Sequence, residues 1–152
     1  MSKVKVGIIN VTGYAGMELA RLLHCHQGVK LASVSGRSAA GQRLGDTFPH
    51  LADIDLEIKT ELEDVDLAFS ALPHKTSAEV VMPLLRRGTK VIDISADFRL
   101  KDPAEYPRWY NLTHPAPELL KEAIYGLVEL NRYKVTTARL VANPGCYPTG
   151  AI

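Results

Sequence analysis

The sequence predicts an α/β fold, a doubly wound and mostly parallel sheet. Three observations predict it. Short apolar runs alternate with amphipathic stretches from residue 3 to residue 94. The first run leads through a glycine turn into a helix, the opening of a βαβ unit. Chemistry-bearing residues, namely Pro73, His74, Ser95, Arg99 and Cys146, fall just past the ends of apolar runs. Open α/β sheets bind their ligands at such carboxyl ends.

Lys3 to Asn10 alternates and then turns wholly apolar through Val4, Val6, Ile8 and Ile9, as a buried parallel strand does. The stretch Thr12, Gly13, Tyr14, Ala15, Gly16 follows, and then Leu19, Leu22 and Leu23 mark a helix face. Strand, glycine turn and helix form a Rossmann-like opening. Gly13 admits a pyrophosphate to the backbone, and the helix start supplies N–H groups and dipole. The spacing is Gly-x-x-Gly-x-x-Gly with Asn10 at the first glycine, and Asn tolerates the left-handed conformation. The competing reading is close helix–strand packing without a ligand. Val29 to Ser35 is a second strand, after Gly28 as the helix stop. NAD sites place an acid at this strand's end. Here Ser35, Gly36, Arg37 and Ser38 stand instead, hydroxyls and a guanidinium suited to the 2′-phosphate of NADP. A solvated polar loop is the alternative.

Ile54 to Ile58 alternates like an edge strand, and Leu67 to Leu72 is a buried strand ending at Pro73 and His74. Thr76 to Glu79 fits a capping box. Ala78, Val81, Met82 and Leu85 line one face of the helix that follows, Pro83 predicts a kink in it, and Gly88 ends it. Lys90 to Ile94 is the next strand. Beyond Lys101 the pattern loosens, with short helices expected from Asp102 and from Pro117 to Ala123. Tyr106, Trp109 and Tyr110 are expected to pack this excursion onto the sheet. Glu129 is the one charge in the apolar run from Tyr125 to Leu130 and calls for a partner. Leu140 to Ala142 ends a last buried strand. Asn143-Pro144-Gly145 then turns sharply, with Gly145 free to take a positive φ. Cys146 follows, and Pro148 suits the first turn of a helix. A thiol there meets the positive end of the helix dipole, which favours the thiolate nucleophile. The same N–H groups suit an oxyanion. The alternative is an inert thiol in a turn.

With 152 residues, 46% apolar and 23% charged, the chain has the composition of a globular domain. A net charge of +1 recruits neither nucleic acid nor an anionic membrane. No apolar run reaches the length of a membrane span, and the start carries no signal-peptide core. Two cysteines make a poor disulfide framework, so a reducing, cytoplasmic setting is expected. His24-Cys25-His26 does not read as a metal site. It ends a helix, where adjacent side chains point apart and cations suit the dipole. No metal is expected.

These residues resemble the N-acetyl-γ-glutamyl-phosphate reductase family. The matching stretches are Thr12 to Leu19, Ser35-Gly36-Arg37 with Gly41, Ala71-Leu72-Pro73-His74, Asp93 to Leu100, Tyr125-Gly126-Leu127 with Glu129-Leu130, and Asn143 to Thr149. The resemblance implies an NADP-dependent reductive dephosphorylation in arginine biosynthesis. Cys146 would attack the γ-acyl phosphate, phosphate would leave, and the thioester would be reduced to N-acetylglutamate semialdehyde. It further implies cofactor contacts at Leu72 and Pro73 and substrate contacts at Arg99, Asn143 and Gly145. His74, Ser95 and Glu129 are further candidates. A local salt bridge from Arg99 to Asp97 or Asp102 competes with its phosphate role. Asn10 and Val128 depart from the family pattern and leave open a related branch acting on an aminoadipyl phosphate in lysine biosynthesis. The family carries a second α+β substrate domain with a catalytic His, absent from these residues. Residues 1–142 then form the NADP-binding domain, and 143–152 the nucleophile turn leading onward. The isolated chain is expected to be inactive and the full-length protein a homo-oligomer. A non-catalytic NADP-binding module is the reading from a different class.

Overall fold

The computed structural model describes residues 2–152. The chain divides into two compact units, Met1–Ala71 and Leu72–Ile152. Both are α/β, with parallel strands joined by helices, in the Rossmann-like manner.

The first unit runs β1 (Val4–Ile9), α1 (Tyr14–His24), β2 (Val29–Ser35), α2 (Leu44–Thr47), β3 (Ile58–Lys59) and β4 (Leu67–Ser70). The strand order is β3-β2-β1-β4, and each neighbouring pair is parallel. The chain steps outward from β1 through β2 to β3 and then returns to pair β4 on the other side of β1. That reversal is the switch point of a doubly wound sheet. β1 lies between two strands, so Val6 and Ile8 are fully buried, with Val11, Ala20, Val34, Leu44 and Ile58 in the same core. The alternation from Ile54 to Ile58 yields a strand of two residues. Its earlier part pairs locally instead: the Leu44 amide donates to Leu56, the Ile58 amide to Gln42, and Arg43 bridges Glu57 antiparallel.

The second unit runs α3 (Ser77–Arg86), β5 (Lys90–Asp93), α4 (Glu105–Tyr110), α5 (Pro117–Glu122), β6 (Ile124–Tyr125), α6 (Val128–Thr137), β7 (Leu140–Ala142) and α7 (Cys146–Ala151). Its strands order as β5-β7-β6, again parallel. Three expectations change here, while α3 contains Pro83 and continues past it to Arg86. Thr76 forms no capping box. Its hydroxyl donates back to Pro73, and a carboxylate from another segment caps the helix. Of the three aromatic residues, Tyr106 is fully buried but Trp109 is 63% exposed, its indole N–H donating to Glu105 one turn back. Glu129 is exposed, because Val128 to Leu130 open the unexpected helix α6, which buries no residue. Water solvates that carboxylate, so no protein partner is required.

Candidate functional site

In the first unit the glycine turn divides its work among three residues. Asn10 takes the left-handed conformation, φ 63°, that the missing glycine would have taken. Its side-chain amide donates to the carbonyl of Ala71 at 2.9 Å, tying the ends of β1 and β4 together at the switch point. Gly16 is where a side chain is excluded outright. A Cβ there would meet the Asn10 carbonyl oxygen at 2.4 Å and the Val11 Cα at 2.7 Å. Gly13 is the N-cap of α1, with an ordinary φ of −83°. Tyr14 and Ala15 are exposed in the first turn, where backbone N–H groups have no partner within the helix. Thr12 receives a hydrogen bond from the Ser38 hydroxyl at 3.3 Å, which links the turn to the loop after β2. Ser35 is buried at the end of β2, whereas Arg37 is exposed and forms no ion pair among the described residues. A Cβ on Gly36 would strike the Thr12 methyl at 2.9 Å, so glycine lets these two loops close up.

In the second unit Cys146 opens α7 at the side of a cavity of about 990 Å³. Arg99, Tyr110, Tyr125, Asn143 and Gly145 share its wall. Cys146 is exposed. Gly145 has φ −70°, extended backbone that any residue adopts, so the expected positive φ is absent. A Cβ there would lie 3.1 Å from Arg99 Nη1, a tight contact that the guanidinium would relieve by a shift of a few tenths of an ångström. Arg99 donates from Nε to the Asn143 carbonyl at 2.9 Å and from Nη2 to the Ile94 carbonyl at 2.8 Å. The alternative salt bridge to Asp97 or Asp102 does not form. Two neutral acceptors fix the guanidinium and leave its charge uncompensated.

Behind Arg99 lies a buried polar network. The Asp93 carboxylate accepts from the hydroxyls of Ser77 and Ser95 and from the Ser95 amide. Burial pushes its pKa above the usual carboxylate value. The three donors and the repulsion of Asp97 are smaller effects, the donors opposing the rise and Asp97 adding to it. Ser95 is buried, and its hydroxyl serves this interior network. Its hydroxyl also accepts from the Asp97 amide at 3.0 Å. The Asp97 carboxylate in turn accepts from the amides of Lys75 at 2.8 Å and Ala78 at 3.0 Å. Leu72 is half-buried and Pro73 exposed. His74 is exposed too, with its ring centroid 6.2 Å from that of Tyr110. Glu129 lines no part of the cavity. Tyr106 is held beneath by its hydroxyl at the Leu100 amide, and burial pushes its pKa up to about 12.

Sequence reasoning missed Tyr110, Tyr125 and Asp97. The two tyrosines lie in stretches without periodicity, where nothing distinguishes a wall residue from a packing one. Asp97 offered only a weak signal, an acid just past a strand end, while Thr76 to Glu79 read as a capping box that left α3 in no need of a distant carboxylate.

The sequence matches the family described as semialdehyde dehydrogenase, NAD binding domain, over residues 5–138. It is 63% identical over its whole length to a protein of Dehalococcoides mccartyi named N-acetyl-gamma-glutamyl-phosphate reductase, and covers 45% of that protein. A protein of the same name from Magnetococcus marinus is 50% identical over 96% of this chain and 44% of its own. The chain thus spans less than half the length of these curated relatives. Among solved structures, aspartate semialdehyde dehydrogenase II from Vibrio cholerae, complexed with ASA, superposes with a TM-score of 0.65 at 16% identity. That match covers 96% of this chain and 43% of the other. Aspartate semialdehyde dehydrogenase with NADP from Candida albicans gives 0.56 at 22% identity, over 67% of this chain and 32% of the other. These structural likenesses establish the fold.

Proposed function

Since the chain belongs to the semialdehyde dehydrogenase NAD-binding-domain family, we propose that it is the cofactor-binding and nucleophile-bearing part of an N-acetyl-γ-glutamyl-phosphate reductase. The reaction is NADP-dependent reduction of the acyl phosphate to N-acetylglutamate 5-semialdehyde with release of phosphate, a step of arginine biosynthesis. Whole-length identity to relatives bearing that name supports the substrate. The observation that carries the chemistry is the shared cavity: an exposed thiol at the start of a helix, beside a guanidinium pinned by carbonyls and not neutralised.

Those two groups suit acyl-phosphate chemistry. The Cys146 sulfur, as thiolate, forms a bond to the acyl carbon. The bond from that carbon to the phosphate oxygen breaks, and phosphate leaves with the electron pair. Arg99 offers its charge and its uncommitted Nη1 to the phosphoryl oxygens, before and after that bond breaks. A thioester on Cys146 remains. The first-unit residues fit a phosphorylated dinucleotide. The start of α1 offers free N–H groups from Tyr14 and Ala15, the close approach of Gly36 to Thr12 brings the loops together, and Arg37 forms no ion pair among the described residues. When bound, NADPH supplies the hydride that reduces the thioester. Cys146 is then freed as the thiolate of a new turnover.

The test is Cys146→Ala in the full-length protein, assayed as phosphate-dependent reduction of NADP with N-acetylglutamate semialdehyde. Turnover should fall by at least about a thousandfold, while NADPH binding, followed by its fluorescence, should stay unchanged. Retained turnover would overturn the reading.

A further inference from the structure

Lys75 has φ 75°, a left-handed conformation that a side chain with a Cβ seldom adopts. It sits in the turn from Pro73 to Thr76 that precedes α3. Such strain persists only where the surroundings over-determine it, and it gathers at ligand clamps and active sites. Here one carboxylate joins the turn's own hydrogen bonds, which run from the Thr76 amide and hydroxyl to the Pro73 carbonyl. Asp97 accepts from the Lys75 amide through Oδ1 and from the Ala78 amide through Oδ2, so both oxygens are committed to the turn and to the first turn of α3. Asp97 is itself fixed by burial and by two hydrogen bonds of its own backbone. It is 1% exposed, its amide donates to the Ser95 hydroxyl, and its carbonyl accepts from His114 Nε2 at 2.7 Å. The His114 tautomer follows from the other nitrogen, which accepts from the Ala116 amide and so carries no proton. Two residues on, the same segment delivers Arg99 to the cavity wall.

We infer that Asp97 is a positioning residue. Its carboxylate clamps the turn in the left-handed conformation at Lys75, and so sets the backbone by which Leu72 and Pro73 meet the cofactor. It also sets the ring of His74 against Tyr110. The functional arm of this inference rests on the reading above, since the cofactor contact of Leu72 and Pro73 belongs to that reading. The structural arm does not.

Removing the carboxylate should free the turn, and a residue that accepts positive φ without strain should restore it. The experiment compares Asp97→Ala, Asp97→Asn, Lys75→Gly and the double variant Asp97→Ala with Lys75→Gly, in the full-length protein. Amide hydrogen exchange without cofactor reads the clamp directly. Exchange across residues 72–78 should rise at least about tenfold in Asp97→Ala and less in Asp97→Asn, which keeps one acceptor. NADPH binding and steady-state kinetics read its consequence. The Kd for NADPH and the KM for NADP should rise about fivefold in Asp97→Ala, with kcat at saturating cofactor within about twofold of wild type. Lys75→Gly alone should leave all values near wild type, and in the double variant it should recover most of the lost affinity. Unchanged exchange over residues 72–78 overturns the clamp. Raised exchange with unchanged NADPH affinity overturns the positioning role and leaves the clamp standing. A uniform fall in kcat and affinity that glycine at position 75 does not rescue marks Asp97 as merely structural and also overturns it. If Asp97→Ala fails to fold, the graded exchange and affinity of Asp97→Asn with and without Lys75→Gly decide the same question. Wild-type protein inactive on N-acetylglutamate semialdehyde would count against the proposed reaction, and the exchange and NADPH-binding arms would still judge Asp97.

Discussion

At Asn10 a side chain does what glycine alone could not: it accepts the left-handed backbone and also reaches across to Ala71. The sequence made the first half readable, because Asn is among the few residues that enter that region cheaply. The second half was not readable, since it depends on which strand lies beside β1. Asp93 teaches the complementary lesson. It lay inside the expected strand Lys90 to Ile94 with no role read for it, and it is fully buried and serves Ser77 and Ser95. Its consequence is a pH dependence of stability. With a folded-state pKa raised above the unfolded value, its contribution is fully present below about pH 4. That contribution is lost as pH rises through the folded-state pKa. Asp93→Asn does not titrate. The difference in unfolding free energy, wild type minus variant, should therefore shrink with rising pH, by about 1.4 kcal/mol for each unit of upward displacement. Urea unfolding at a series of pH values measures it, and a flat or widening difference would contradict the assignment.

Elements were legible where burial imposed a pattern and illegible where it did not. β2 lies where the run placed it, Val29–Ser35, with Leu31 and Val34 buried where it pairs between β1 and β3. α6 escaped notice because it buries no residue, breaks helical geometry at Asn131 and so carries no periodic signature. Helix α1 shows how closely an element can be pinned by one position. Replacing Gly16 by Ala would gain about 1 kcal/mol of helix propensity. Against that, the new Cβ would fall 2.4 Å from a backbone oxygen and 2.7 Å from a backbone Cα, neither of which can swing aside. Overpacking of that severity costs about 3 kcal/mol. Gly16→Ala should therefore destabilise the protein by about 2 kcal/mol, read as a lowered urea midpoint at constant slope. A stabilised variant would show that α1 moves away from β1 at little cost.

Over the whole molecule the groups proposed for cofactor choice and for nucleophilic attack belong to different compact units, Arg37 to the first and Cys146 to the second. Variants in one should leave the local chemistry of the other alone. Arg37→Ala should raise the Kd for NADP by about tenfold and leave that for NAD within about twofold, with the alkylation rate of Cys146 unchanged. Equal weakening of both cofactors would reject the 2′-phosphate role. The cavity wall was only partly legible: Arg99 and Cys146 announced themselves by residue type, whereas Tyr110 and Tyr125 take their meaning only from tertiary placement. The exposure of Cys146 has a practical side as well. The opening proposed for a phosphorylated acyl chain would also admit electrophilic fragments, and aromatic walls give them something to rest on. Cys25, also exposed, following α1 and outside the lining of that cavity, supplies an internal reference in the same tube. A covalent library counted by mass at both sulfurs separates what the cavity selects from what any accessible thiol would capture.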